Sequence, residues 1–246
     1  SVFIAFAAVA IWSSVPLTIR LLTTLKKRSG LYFYSILITT WGLSIRQLGY
    51  VLQLLVPTTP WPLGDLMAQL GWVAMVTGFS TVLYSRLNII LESRSVRRAV
   101  LYTIIFNGVV LHILMMTMSL GIAGSQYAAK HGSHHAASLI PKWKAPYSYM
   151  EKVQIVIFSL QEIAISFFYV RAAHQYLQSR FAQRGKTRQA MFLLLFVQIV
   201  IISVDIALIA IDFAGYLQLK LFIHSFVYAV KLELEFVVLN QLVELS

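Results

Sequence analysis

The stretch Tyr228–Leu242 reads YAVKLELEFVVLNQL, with a lysine and two glutamates set inside an otherwise apolar run. A helix needs about 20 apolar residues to cross a bilayer core, and the run containing this stretch is that long. Each charge in such a helix costs roughly 2.5–3.5 kcal/mol at its centre unless it is paired or wetted. Lys231, Glu233 and Glu235 therefore predict a helix wedged among others, with its charges turned inward. The rest of the chain agrees. Of 246 residues, 59% are hydrophobic and 12% charged, and the mean hydropathy is +0.75. That composition cannot supply the polar surface of a soluble domain, so an all-α integral membrane protein is expected.

Apolar runs at 2–25, 31–56, 65–92, 96–122, 150–176, 189–213 and 217–244 predict a single seven-helix transmembrane domain over 1–246. Proline, glycine and charge mark the breaks, as in Pro57-Thr-Thr-Pro-Trp-Pro62 and Glu92-Ser-Arg-Ser-Val-Arg-Arg98. No cleavable leader is expected. The connections after spans one, three and five hold ten Lys and Arg: Lys26, Lys27, Arg28; Arg94, Arg97, Arg98; Arg180, Arg184, Lys186, Arg188. The connections on the other side hold three, Lys130, Lys142 and Lys144. This bias predicts an outer N-terminus and a cytosolic C-terminus. It also assigns the net charge of +11 to anionic lipid headgroups or a cytosolic signalling partner, not to nucleic acid. With no cysteine, disulfides and thiolate chemistry are excluded. The stretch 123–149, AGSQYAAKHGSHHAASLIPKWKAPYSY, is rich in Gly, Ser and Pro, and is expected to be an irregular outer loop acting as a lid.

Seven ionisable residues fall well inside the spans: Arg46, Arg86, Glu162, Asp205, Lys231, Glu233 and Glu235. Helical geometry places His224, Tyr228, Lys231 and Glu235 on one stripe, and Glu233 with Asn240 on nearly the opposite face. Lys231 and Glu235, four apart, are spaced to pair within the helix. Depth counting brings Glu162, Asp205 and Lys231 to one level. Acids outnumber bases in the interior, so one carboxyl is expected to keep its proton. Arg46, Glu162, Asp205, His224, Tyr228, Lys231 and Glu235 are thus the candidate residues for binding a small, partly apolar ligand, with Lys231 expected to anchor an acidic or carbonyl group of it. The alternative to a ligand site is a structural ion network that fixes helix register.

Four segments carry a resemblance: RSGLYFYSILITTWG (28–42), GWVAMVTGFSTVLYSRLNII (71–90), VLHI (110–113) and FVYAVKLELEFVVLNQLVEL (226–245). Together they resemble a fungal family of seven-span membrane proteins described only as a domain of unknown function. The resemblance implies a receptor-like bundle and a lysine at position 231 as a family feature. It also implies a position 233 that is often basic, and it assigns no activity.

Other chemistries are weaker fits. Tyr84-Ser85-Arg86 sits where class A receptors place an acid-arginine-aromatic triplet; lacking the acid, it reads as an arginine snorkelling from the helix end. A mid-depth lysine in the seventh span invites a retinal Schiff base on Lys231, with Glu162, Asp205 or Glu235 as counterion. A membrane-embedded cyclase or hydrolase would use Glu162 and Asp205 as acid and base. His131, His134 and His135 lie in the expected loop with no carboxylate beside them, so no metal site is expected. His112 and His224 read as hydrogen-bonded interior residues. Gly71, Ala74 and Gly78 predict a close helix approach.

Overall fold

The computed structural model describes residues 2–24, 30–56, 60–91, 93–178, 185–214 and 217–243, with only the backbone at several helix ends. The described residues form seven helices. These are α1 (Val2–Thr24), α2 (Leu31–Leu55), α3 (Trp61–Ile90), α4 (Arg94–Lys130), α5 (His134–Gln178), α6 (Gly185–Phe213) and α7 (Leu217–Val243). Four of them, α3 to α6, are long and apolar enough to cross a membrane. The exterior fits hydrocarbon. Trp12, Phe106 and Phe196 are more than 60% exposed, while Gln47, Glu162 and Gln198 are fully buried. A water-soluble fold would reverse that arrangement.

Each helix packs on its sequence neighbours, and α7 returns to α1, closing a ring with α3 inside it against α5 and α7. The tightest contact is α2 on α3. A Cβ on Gly42 would sit 2.8 Å from the Met75 nitrogen, and one on Gly49 2.5 Å from the Ala68 nitrogen. On the facing helix, a Cβ on Gly71 would lie 2.4 Å from the Arg46 nitrogen, and one on Gly78 2.4 Å from Thr39 Oγ1. The seam therefore closes backbone to backbone, which only glycine permits, and the close approach expected at Gly71 and Gly78 is present. The opposite sector is built differently. Among the described residues α5 and α7 make no backbone approach within 8 Å, and their side chains bridge the gap.

The expected irregular loop at 123–149 is helical instead. α4 runs on to Lys130 and α5 starts at His134. Gly132, at φ 94°, turns the chain. Ser133 N donates to Ala128 O and Gly132 N to Ala129 O, the paired bonds of a glycine-terminated helix. Ser133 Oγ then accepts from Ala136 N at 3.3 Å, capping α5. Pro141 and Pro146 lie inside α5 and each forgoes a backbone bond. Tertiary contact offsets the loss. The Trp143 ring lies against Gly121, Trp61 against Gly124, and Trp61 stacks on Tyr127 at 5.9 Å. Local Gly, Ser and Pro signals are overridden where small residues on α4 seat indoles from the helices on either side of it in sequence.

Candidate functional site

The α2–α3 seam fixes the first element. With Gly71 beneath its backbone, Arg46 lies on the α3 side, its guanidinium 4.1 Å from the Trp72 ring and 5.1 Å from that of Tyr50. It lines a pocket of about 20 Å³ with Trp72, Tyr147, Glu151, Gln154 and His224, room for about one water. A second, open cavity of about 1140 Å³ lies nearer the α4–α5 turn, among Trp61, Asp65, Ser119, Gln126 and Lys130. Tyr147 belongs to both walls. Gln69 Nε2 donates to Ser119 Oγ, which donates to Asp65 Oδ1 at 2.7 Å. That chain and Tyr147 form the partition between the two cavities.

One helical turn from His224 along α7, Tyr228 Oη donates to Glu162 Oε1 at 2.8 Å. Lys231 Nζ donates to Glu162 Oε2 at 2.8 Å and also to Asp205 Oδ1. The ammonium lies 4.5 Å from the Tyr228 ring and 5.3 Å from the Phe79 ring, and those two rings meet edge to face. This central cluster thus joins α5, α6 and α7 and rests on α3. All four polar members are buried, none above 5% exposure.

A further turn along α7, Glu235 accepts from Gln198 Nε2 at 3.0 Å and pairs with Arg86. The Arg86 guanidinium lies 5.6 Å from the Tyr169 ring, and Tyr169 Oη donates to Leu83 O at 3.3 Å. Arg86 is 3% exposed. The snorkelling reading of Arg86 is therefore corrected: its charge is matched inside the bundle, so it has no reason to reach for water.

The residues singled out in the sequence thus divide into three levels. Arg46 and His224 line the pocket, Glu162, Asp205, Tyr228 and Lys231 form the central cluster, and Glu235 belongs to the Arg86 cluster. The stripe His224, Tyr228, Lys231, Glu235 is buried throughout, as helical spacing requires. The expected Lys231–Glu235 pairing within α7 is not made. Lys231 is taken by two carboxylates across the bundle and Glu235 by Arg86. Lys231 lines neither cavity. Glu233, on the other face of α7, pairs with Arg20 of α1 at 3.0 Å.

Several buried polar groups escaped the sequence reading. Gln198 and Asp212 flank the already identified Asp205 at seven-residue spacing on α6, and all three are nearly inaccessible; that spacing was the available signal. The partners of His112, itself expected to be a hydrogen-bonded interior residue, are Gln154 Nε2 at 3.1 Å on Nδ1 and Thr77 Oγ1 at 2.9 Å on Nε2. Asn107, Gln161 and Ser80 continue the ladder between α3, α4 and α5. Single glutamines and serines in an apolar run give no clue to partners dozens of residues away. His131 turns back on its own helix, Nδ1 donating to Tyr127 O at 2.8 Å.

Of the basic connections, Lys26, Lys27, Arg28, Arg180 and Arg184 lie outside the described residues, as do the side chains of Lys186 and Arg188. Arg94, Arg97 and Arg98 open α4.

Membrane-length apolar helices around an interior that holds the charges make this a helical membrane protein. Across residues 1–246 the chain matches, and belongs to, the family described as a domain of unknown function, DUF7703. No curated protein and no solved structure matches it.

Proposed function

We propose that the chain crosses the membrane seven times, N-terminus outside and C-terminus cytosolic, as a receptor-like protein for a small, partly apolar ligand. One observation carries the reading: a single buried stripe on α7 touches the pocket at His224, the central cluster at Tyr228 and Lys231, and the Arg86 cluster at Glu235. A ligand that shifts His224 shifts the groups that tie α7 to α3, α5 and α6. The ligand anchor moves from Lys231, which its own carboxylates occupy, to Arg46. That guanidinium suits a carboxylate or carbonyl, and Trp72, Met115 and Ile155 suit an apolar body. The pocket holds only about one water, so binding requires Tyr147 to yield toward the larger cavity. The far end of the bundle, with Arg94 and Arg98 exposed, meets anionic lipid or a signalling partner.

The test is a native mass spectrum and a visible spectrum of the detergent-purified protein beside Arg46→Gln and Lys231→Met. A bound mass lost in Arg46→Gln and absorbing no visible light is expected. A clean apo mass in the wild type, or a bound mass indifferent to Arg46, sinks the proposal. A visible band lost in Lys231→Met would replace it with a Schiff-base chromophore.

A further inference from the structure

The central cluster brings two carboxylates to one ammonium, and all three are sealed from solvent: Glu162 is 0%, Asp205 1% and Lys231 1% exposed. With every group ionised, one negative charge would stand uncompensated in a low-dielectric interior, which is heavily penalised. The neighbours do not supply the missing positive charge. Among the described residues α6 packs only on α5 and α7. From α7, Tyr228 already spends its proton on Glu162, Glu235 is matched by Arg86 and Glu233 by Arg20. Arg46 of α2, over the Tyr50 and Trp72 rings, His224 and, from α5, Glu151 belong to the pocket level. Lys152 of α5 lies over the Phe213 ring at the end of α6. Tyr169 of α5 lies at the Arg86 level.

Within the cluster the gap can be located. Glu162 receives a donor on each oxygen. Asp205 receives Lys231 on Oδ1, but its Oδ2 is buried and meets no hydrogen-bond partner. A metal cation there would need about six oxygen ligands, and Asp205 lines neither cavity. A proton needs neither ligand shell nor void.

We propose that the central cluster is a proton-binding site, the proton resting on Asp205 Oδ2 and exchanging with water in the Arg46 pocket past His224 and Tyr228. Loaded, the cluster is neutral and draws α5, α6 and α7 together through Lys231. Release returns the proton to pocket water and leaves Glu162 and Asp205 sharing one ammonium, which favours their separation. Proton uptake and release thereby become a means of moving α5 and α6 against α7, with or without a second ligand.

The test is infrared spectroscopy of the full chain in lipid nanodiscs at neutral pH. The expected result is the carbonyl band of a protonated carboxylic acid, shifted in heavy water and shifted again when aspartate carries carbon-13 at its side-chain carboxyl. The sequence has three aspartates, Asp65, Asp205 and Asp212. The band should survive Asp65→Asn and Asp212→Asn and vanish in Asp205→Asn. Should Asp205→Asn fail to fold, the label and the two surviving variants still make the assignment. A wild-type spectrum without a protonated-carboxyl band, a band unmoved by the aspartate label, or one lost in Asp65→Asn or Asp212→Asn overturns the proposal.

Discussion

The α2–α3 seam and the α5–α6–α7 sector hold their helices together by opposite means. At the seam, glycines bring backbones into contact, and nothing polar is needed between Gly71 and Arg46 or Gly42 and Met75. In the other sector, Lys231 reaches across the α5–α7 gap to Glu162 and also holds Asp205 of the adjoining α6. Close apolar contact tolerates little displacement, because the interior is packed solid. An ion cluster on long side chains can change partners and charge while the helices stay folded. The seam is scaffold, and the ionic sector is where a stimulus can be registered.

Three substitutions bear on that contrast, in descending order of effect. Lys231→Met should be the most damaging, because it leaves Glu162 and Asp205 buried without their cation; breaking such a pair costs about 3–5 kcal/mol. Thermal denaturation in a fixed detergent should show the loss, and adding Glu162→Gln and Asp205→Asn should restore much of it. No rescue by the added amides would mean that shape, not charge, holds this sector. Gly71→Ala places a methyl group against the Arg46 backbone and should cost about 1–3 kcal/mol, as overpacking does. Its partner test is proteolysis: the whole bundle should loosen, since α3 touches both sectors. A wild-type melt for Gly71→Ala would show that the seam is adjustable after all. Arg20→Ala is the control. Arg20 and Glu233 are 57% and 34% exposed, and a pair so placed contributes roughly 0–1 kcal/mol. A larger drop would mean that the α1–α7 contact also carries strain from the ionic sector.

Much of the ionic sector was legible before the structure, because helical periodicity is local. Positions 224, 228, 231 and 235 must share a face, and charges in an apolar helix must turn inward. Partner choice was not legible. Arg86 and Glu235 are far apart in sequence, so nothing near Arg86 announced a buried acid, and the helix-end position suggested water. Asp212 was passed over because it sits at the end of its apolar run, although it continues the Gln198–Asp205 spacing. The stretch 123–149 was misread for the converse reason. Its glycines and prolines are strong local signals, and the indole contacts that outweigh them join separate helices.

The unbroken course of α5 has a mechanical consequence. The helix spans His134 to Gln178, and Glu162 is fixed partway along it by Tyr228 and Lys231. At about 1.5 Å per residue, the arms on either side of that pin are about 42 and 24 Å long. The α4–α5 hairpin then acts as the long end of a lever with an ionic fulcrum. A small swing at the hairpin would move the opposite end the other way by roughly half as much, so α5 could carry a signal without any helix sliding along its axis.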